Sequence, residues 1–405
     1  MKVWCLFRDQ FAHVRPVEAI CHGQAEFVFD EVWDPANLVN SHPDIVLCVN
    51  DYFYDIVRCL DAAKQAGIPS LVLQDGILEW RCQYENPLFG AGGGAPQHQP
   101  VMADKIACLG QQSARQIAAW GNTAKVEVTG MPRLDYLLAR PPSVTQKPGR
   151  RILVMSAKNP GFTVDQRAIT LQSLKDIKVV LGAQSNLEVW WRVSKSVAAQ
   201  LQVENQMEQI ASLELVKILE QVDAVISTPS TAILEAMLLG RPVAALDYHN
   251  VPRYLPTAWT ISARDQIGAV VSELLAPAGA KMAFQRDCLA DTLECEGTAA
   301  ERIRELMSRM TEQGREARRT GATLKLPADL LGSGKTFHVF GRPPLAALYP
   351  EPTAFAESSV EALQVRLARA ENERSRLEAE NGELRKRVHL GSWLKAGVRQ
   401  LTRTE

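Results

Sequence analysis

The sequence has no long apolar run, no excess of basic residues and no paired cysteine motif. No stretch reaches about 18 uninterrupted apolar residues, and the apolar start breaks at Arg8 and Asp9, too early for a signal peptide. The formal net charge of −1 leaves no surplus of Lys and Arg to track nucleic-acid phosphates. The eight cysteines form no C-x-x-C pair and several lie in apolar runs. We therefore expect a cytoplasmic chain with reduced, buried thiols and no nucleic-acid partner.

The sequence is rich in short apolar runs that alternate with amphipathic stretches of helical length, the pattern of β-α-β units. A proline-rich segment at Arg140–Arg150 separates two such series, so we predict two Rossmann-like, doubly wound α/β domains at residues 1–140 and 151–310. The predicted strands are Val3–Phe7, Glu26–Val32, Asp44–Val49, Ser70–Leu73, Lys105–Leu109, Val126–Thr129, Ile152–Ser156, Leu187–Arg192, Ala224–Ser227 and Val243–Asp247; the main predicted helices are Tyr54–Ala66, Asp165–Leu181, Val197–Ala211 and Thr231–Leu239. Two such domains place a ligand cleft between the carboxyl ends of their sheets.

Beyond Met310 the composition changes. Residues 311–357 carry scattered Gly, Pro and Arg and predict a linker. Residues 358–390 show an a/d heptad pattern in which the core positions are apolar except for Arg374 and Asn381. This pattern favours a coiled coil, and hence a homo-oligomer or a partner helix, over a solitary solvated helix. Residues 391–405 form a basic amphipathic tail that could lie on an anionic membrane surface or simply be a solvated end.

The segment Ile226–Pro242 (ISTPSTAILEAMLLGRP) carries the most chemistry. A strand ends in a Ser/Thr-rich turn with Thr228 and Ser230, and a helix follows. The first amides of that helix, with the hydroxyls of Ser230 and Thr231, suit a diphosphate, and Glu235 one turn later can accept ribose hydroxyls. An ordinary capped helix is the alternative.

This segment, extended to LEQVDAVISTPSTAILEAMLLGRPVAALD, resembles the donor site of GT-B glycosyltransferases and of the related UDP-N-acetylglucosamine 2-epimerases. CVNDYFYDIVRCLDAAKQAGIPSLVLQDG is similar to the first-domain stretch of the epimerases, and ACLGQQSARQIAAWGNTAKVEVTGMPRLDYL resembles the segment that closes the first domain of capsule and surface-polysaccharide transferases. The resemblance covers most of residues 44–310 in the right order. It implies a GT-B architecture and a nucleotide sugar bound by the second domain.

The sequence departs from the epimerases at the positions that would move a proton. MSAKNPGF lacks the histidine that follows their first strand of domain two, and WRCQYENP lacks their paired glutamates. These departures favour group transfer over epimerisation.

Transfer requires a base for the acceptor hydroxyl and cations for the leaving diphosphate. The candidate bases are His13, whose surroundings (AHVRPVEAI) are similar to a histidine loop of GT-B enzymes, and Asp75 and Glu79, which follow a strand end. The candidate cations at the strand ends of domain two are Lys158, Arg192 and Lys195. Each of these residues could instead be a helix cap or a solvated surface charge.

The remaining motifs are assigned smaller roles. Arg133 and Asp135 are expected to fix the domain junction, and His249 could reach the sugar. GSGKT at Gly332–Thr336 is not a P-loop, because Asp329 stands where the motif requires glycine. The glycine-rich loop at Gly90–Pro96 could be a lid over the acceptor side.

The resulting hypothesis is a sugar transferase of surface-polysaccharide biosynthesis, such as capsule or lipopolysaccharide, which acts on a glycan or lipid-linked acceptor. No Asp-x-Asp motif lies in the predicted cleft loops, so neither a metal nor another cofactor is expected. The alternatives are a UDP-N-acetylglucosamine 2-epimerase, a transferase of polyol phosphate from a CDP-activated donor, and a non-catalytic scaffold that acts through its coiled coil.

Overall fold

The structure, a computed structural model, describes residues 1–7, 12–87, 96–140, 150–158, 160–208, 210–332, 374 and 378. The chain forms two units, residues 1–342 and 343–405. In the second unit the helical residues Arg374 and Glu378 form an ion pair of 3.4 Å between Nε and Oε1. The rest of the predicted coiled coil, the basic tail and most of the Gly90–Pro96 and Gly332–Thr336 segments lie outside the described residues.

The first domain is built on a six-stranded parallel sheet in the order β2-β1-β3-β4-β5-β6. Its inner strands are short runs of buried Val, Ile, Leu and Cys, as expected for a sheet covered by helices on both faces. The strands are β1 (Lys2–Cys5), β2 (Glu26–Phe29), β3 (Ile45–Cys48), β4 (Ser70–Leu73), β5 (Lys105–Cys108) and β6 (Val126–Val128), and the helices are α1 (Arg15–Ile20), α2 (Pro35–Asn40), α3 (Tyr54–Gln65), α4 (Trp80–Tyr84), α5 (Gln111–Ile117) and α6 (Asp135–Leu138).

The second domain is built on a five-stranded parallel sheet in the order β11-β10-β9-β7-β8. Its strands are β7 (Arg151–Met155), β8 (Glu188–Arg192), β9 (Ala224–Ser227), β10 (Val243–Leu246) and β11 (Trp259–Ile261), and its helices are α7 (Val164–Gly182), α8 (Lys195–Leu201), α9 (Glu204–Glu208), α10 (Leu215–Leu219), α11 (Ala232–Leu238), α12 (Ile267–Leu275) and α13 (Gly279–Thr292). The two sheets confirm the predicted pair of Rossmann-like α/β domains. All ten predicted strands are present; β11 was not predicted.

A last helix, α14 (Ala299–Thr320), leaves the second domain and packs on the first sheet. Its apolar face, which includes Ile303, Leu306 and Met310, is buried in the same core as β1, β3 and β4. Its start is held by Asp135, whose two carboxylate oxygens accept the backbone N–H groups of Ala299 and Ala300 at 2.9 Å each. The first domain is therefore completed by residues that follow the second.

The chain beyond α14 is fastened to the first domain by a buried ion pair. Lys105 Nζ lies 2.6 Å from Glu127 Oε1, and the lysine and glutamate side chains are 1% and 0% exposed. The ammonium also donates to the carbonyl oxygen of Ala328 at 3.1 Å, and Glu127 accepts the backbone N–H of Leu330 at 2.9 Å. Because both charges are hydrogen-bonded to this segment, the pair joins it to β5 and β6.

Two predicted boundaries are wrong. The predicted linker does not begin at residue 311, because α14 continues to Thr320; its Gly314 packs so closely on Pro69 that an added Cβ would lie 2.6 Å from the proline ring. The predicted helix Val197–Ala211 is two helices, because Gln202 adopts a left-handed conformation (φ 55°) that ends α8.

The described residues also bear on two expectations, the state of the cysteines and the presence of a membrane span. All eight cysteines are free, and six of them are buried, as their positions in apolar runs predict. No single described helix has both the length and the apolar composition to cross a membrane. Among the described residues, one pair of helical segments, 264–275 and 279–292, reaches that length and composition when the two are joined, but they are bent by 97° relative to each other.

Candidate functional site

The loop after β4 brings together two of the three candidate bases. His13 Nε2 lies 3.2 Å from Asp75 Oδ1, and the His13 side chain is 5% exposed while that of Asp75 is 62% exposed. The hydrogen bond from His13 is the main cause that lowers the pKa of Asp75, and the positive charge of Arg133 lowers it further. Asp75 is thus an ionised, accessible carboxylate held by a buried histidine.

The start of α11 faces this loop. Gly76, which follows Asp75, lies so close to the second domain that an added Cβ would be 2.9 Å from Thr231 Oγ1. Ser230 and Thr231 are half-buried, whereas Thr228 is buried and accepts the backbone N–H of Ala157 at 2.8 Å. The amino end of α11 therefore points toward the first sheet.

An ion pair joins the two domains beside this point. Arg133 Nη1 donates to Glu235 Oε1 at 3.1 Å, and the two side chains are 27% and 10% exposed. Glu235 lies in the first turn of α11, and Arg133 lies in a short helical turn at Pro132–Leu134. Arg133 and Asp135 both lie at the domain junction, as expected, but Arg133 also contacts a candidate donor residue.

Basic residues line a groove at the carboxyl ends of β7 and β8. Lys158 and Arg192 are both exposed and border a space of about 810 Å³ that includes its open side, with Val193 and Met207 in its wall. Because β7 lies between β8 and β9, the turn at Thr228 follows the strand next to this groove, and the loop after β7 contacts that turn through the N–H of Ala157. Lys195 is exposed on α8 and does not line the groove.

The third candidate base, Glu79, belongs to a different set of contacts. Glu79 forms an ion pair with the buried Arg81. Burial raises the pKa of Glu79, although the charge of Arg81 opposes this effect. Burial also raises the pKa of Asp247, which follows β10, and Arg81 again opposes the shift. The Glu79 carboxylate is therefore neutralised locally by a guanidinium, whereas that of Asp75 is held by an imidazole.

His249 is tied to the second domain. Its Nε2 lies 3.2 Å from Thr170 Oγ1, and that hydroxyl donates to the carbonyl oxygen of Pro160 at 2.8 Å. Because the hydroxyl proton is already used, His249 is the donor in this contact. Burial, followed by the charge of Arg81, lowers the pKa of His249 to about 4, so the ring is neutral at pH 7.

Several residues at the domain junction were not singled out from the sequence. Trp80, Arg81, Asp247 and Tyr254 line a narrow crevice between the domains, and the Trp80 and Tyr254 rings lie 6.4 Å apart. Asp247 and Tyr254 follow β10, so the rule that selected Asp75 and Lys158 would also have selected them. Within the described part of the chain, no group of three or more His, Cys, Asp or Glu side chains is placed to hold a metal ion.

No protein-family model matches the chain, and no curated protein matches it in sequence. Similar solved structures exist. The Staphylococcus aureus MnaA–UDP co-structure has 13% identity and a TM-score of 0.51, and the match covers 81% of this chain and 99% of that one. The UDP-GlcNAc 2-epimerase of Methanocaldococcus jannaschii, in complex with UDP-GlcNAc and UDP, has 10% identity and a TM-score of 0.51, with coverage of 76% and 99%. The wall teichoic acid polymerase TagF has 11% identity and a TM-score of 0.49, with coverage of 78% and 90%.

At 10–13% identity, the similarity between this chain and these structures is a similarity of fold alone. Two Rossmann-like domains meet at the carboxyl ends of their parallel sheets, and the matched structures are covered almost end to end. The chain has the GT-B fold.

Proposed function

We propose that this chain is a glycosyltransferase that moves a sugar from a nucleotide-activated donor to a hydroxyl group of a glycan or lipid-linked acceptor, in surface-polysaccharide biosynthesis and without a metal ion. One observation carries the proposal. Gly76, next to Asp75, is in contact distance of Thr231 at the start of α11. A carboxylate able to take a proton and a helix end able to bind phosphate therefore border the same space.

Asp75 is the proposed base. Only an accessible group can reach an acceptor hydroxyl, and the Asp75 side chain is 62% exposed while His13 is 5% exposed. His13 then positions the carboxylate through its Nε2–H. Glu79 is a weaker candidate, because its carboxylate is already paired with Arg81.

The donor is proposed to lie along the second sheet. The backbone N–H groups after β9, with the hydroxyls of Ser230 and Thr231, hold the diphosphate, and Lys158 and Arg192 neutralise its charge. The ribose lies beside the first turn of α11, where Glu235 can accept its hydroxyl groups. In the transfer step Asp75 accepts the proton of the acceptor hydroxyl, the acceptor oxygen bonds to the anomeric carbon, and the bond from that carbon to the diphosphate breaks. The electron pair leaves with the nucleoside diphosphate.

Replacing Glu235 with alanine is expected to weaken donor binding at least tenfold. In the proposed complex the Glu235 carboxylate exchanges its contact with Arg133 for the ribose hydroxyls, and hydrogen bonds to a charged group contribute roughly 1.5–3 kcal/mol. Thermal-shift measurements with UDP-, GDP-, CDP- and CMP-linked donors test this. A donor at a hundred times its dissociation constant stabilises the unaltered chain by about 2.7 kcal/mol, and tenfold weaker binding halves that value.

Glu220 is the matched control for Glu235. It also forms an ion pair with an arginine of the first domain, Arg140, at 3.1 Å, but it lies outside the proposed site. Glu220→Ala should leave the thermal shift unchanged. Equal donor shifts in the Glu235→Ala variant and the unaltered chain would contradict the donor site.

Replacing His13 with leucine is expected to move the acid limb of the kcat/KM profile to higher pH. The His13 hydrogen bond is the main cause that lowers the pKa of Asp75, so without it the pKa rises toward its ordinary value of about 3.9. As the pH falls, the Asp75 carboxylate of the unaltered chain stays ionised until the pH drops below its lowered pKa. In the variant the pKa is higher, so the carboxylate is protonated, and activity is lost, at a higher pH. His22→Leu, at an exposed histidine, should leave the profile in place, and an unmoved acid limb in His13→Leu would show that His13 does not position the base.

The second candidate function is epimerisation at C2 of UDP-N-acetylglucosamine. It is favoured by the M. jannaschii epimerase, which has this fold and is matched over 99% of its length. An epimerase needs no acceptor, so incubation with UDP-GlcNAc alone distinguishes the two reactions. Formation of the C2 epimer from UDP-GlcNAc alone would support epimerisation and contradict the transferase proposal.

A further inference from the structure

The first domain carries a network of amide and phenol side chains that the proposed chemistry does not use. We name Tyr52, Gln83, Tyr84, Gln97 and Gln99 the glutamine cluster. Gln97 Nε2 donates to Tyr52 Oη at 3.0 Å, and Gln83 Nε2 donates to Gln97 Oε1 at 3.3 Å. Gln99 Nε2 donates to Gln83 Oε1 at 3.5 Å, and Tyr84 Oη donates to Gln99 Oε1 at 3.3 Å. The five side chains form one continuous set of hydrogen bonds.

The backbone holds this set in place through an uncommon conformation. His98, between two of the glutamines, has a φ of 60°, which few residues other than glycine adopt. Its carbonyl oxygen accepts Asn122 Nδ2 at 2.9 Å, and its Nδ1 lies 3.3 Å from Asp51 Oδ1. The backbone turn at His98 places Gln97 and Gln99 so that both hydrogen-bond to the buried Gln83. Conformations of this kind are maintained where the surroundings impose them, and they concentrate at binding sites.

One member of the glutamine cluster, Tyr52, lies at the same edge of the first sheet as the proposed base. Tyr52 follows β3 and Asp75 follows β4, and these strands are parallel neighbours whose carboxyl ends share one edge. The two groups also interact: burial raises the pKa of Tyr52, and the negative charge of Asp75 adds to the effect. A ligand that contacts Tyr52 would therefore lie at the sheet edge that carries Asp75.

The chemistry of the cluster matches an uncharged sugar. Amide and phenol groups both donate and accept hydrogen bonds, as sugar hydroxyls do, and none of the five side chains is charged at neutral pH. The carboxylate of the nearby Glu85 accepts a hydrogen bond from Gln166 Nε2 at 2.6 Å and is not part of the cluster. Aromatic carbon is exposed alongside, because Tyr84 is 43% exposed and its ring lies 4.3 Å from that of Trp80. An anionic acceptor would find no cation within the cluster.

We propose that the glutamine cluster is the acceptor subsite and that it binds an uncharged sugar rather than a phosphorylated or carboxylated one. This inference rests on the proposed transferase function. None of the five residues of the glutamine cluster is assigned to the donor site, and none is the proposed base.

A glycan array probed with the full chain tests the inference. The array carries neutral oligosaccharides of glucose, galactose and N-acetylglucosamine, and matched versions that contain glucuronic or sialic acid. We expect binding to neutral glycans, lowered at least tenfold by Gln97→Ala combined with Gln99→Ala. Gln313→Ala, at an exposed glutamine of α14, is the control and should bind as the unaltered chain does. UDP affinity, measured on the same samples, should not change in either variant.

Tyr52→Phe provides a second variant if the double substitution does not fold. It removes one hydroxyl and should weaken neutral-glycan binding about 2- to 10-fold, as expected for one hydrogen bond. A preference for acidic glycans, unchanged neutral binding in these variants, or no glycan binding by a chain that binds UDP would overturn the inference. Failure to bind any nucleotide while glycan binding follows the expected pattern contradicts the donor site instead.

Discussion

Replacing Asp75 with asparagine is expected to lower kcat by roughly 10²- to 10⁴-fold, the usual contribution of a positioned general base. Asparagine has nearly the same shape but cannot take the acceptor proton. The side chain is 62% exposed, so the fold should tolerate the change, and donor affinity should be unaffected. Initial transfer rates, measured with the donor found by thermal shift, check the result.

Two variants make the Asp75 test specific. Asp61→Asn changes an exposed carboxylate on α3 and should retain full activity. Glu79→Gln removes the partner of Arg81 and should reduce kcat less than Asp75→Asn does. A loss below tenfold in Asp75→Asn, or a larger loss in Glu79→Gln, would assign the base elsewhere.

Replacing Glu127 with alanine is expected to cost about 3–5 kcal/mol of stability, as is typical when one partner of a buried ion pair is removed. The change leaves the Lys105 ammonium buried without its counter-charge and the Leu330 N–H without its acceptor. Urea denaturation measures the loss. Limited proteolysis should also show faster cleavage near Ala328, because the pair holds that segment.

The matched control replaces both charges. Lys105→Met combined with Glu127→Leu removes the ion pair without leaving a lone buried charge, and such replacements are often close to neutral. The double variant should therefore be more stable than Glu127→Ala. If both variants lose the same stability, the backbone contacts of Glu127 matter and the charge pairing does not.

The fold could be predicted because its signal is local. A strand such as Ser70–Leu73 is a short buried apolar run, and the alternation of such runs with helices indicates a parallel sheet. The end of α14 could not be predicted in the same way. Gly314 interrupts the helical pattern, and its close packing on Pro69 is what carries the helix through it to the good helix formers that follow.

The candidate site was predictable only in part, for a related reason. The rule that ligands meet the carboxyl ends of parallel strands selected Asp75 and Lys158, and the affinity of helix starts for phosphate selected Ser230. The contacts of these residues depend on loop paths and on how the two domains meet, which no local pattern encodes. The His13–Asp75 and Arg133–Glu235 pairs therefore required the structure.

The path of α14 has a consequence for how the chain folds during synthesis. The first sheet is complete by Val128, but its core includes Ile303, Met310 and Leu330. The ribosome must therefore add close to two hundred further residues before the amino-terminal half can bury that face, a delay of roughly 10–40 s at ordinary rates of synthesis. During that interval the nascent sheet would expose apolar surface, which makes it a natural client for chaperones; protease digestion of ribosome-bound chains of stepwise length would show resistance only after Leu330 has emerged.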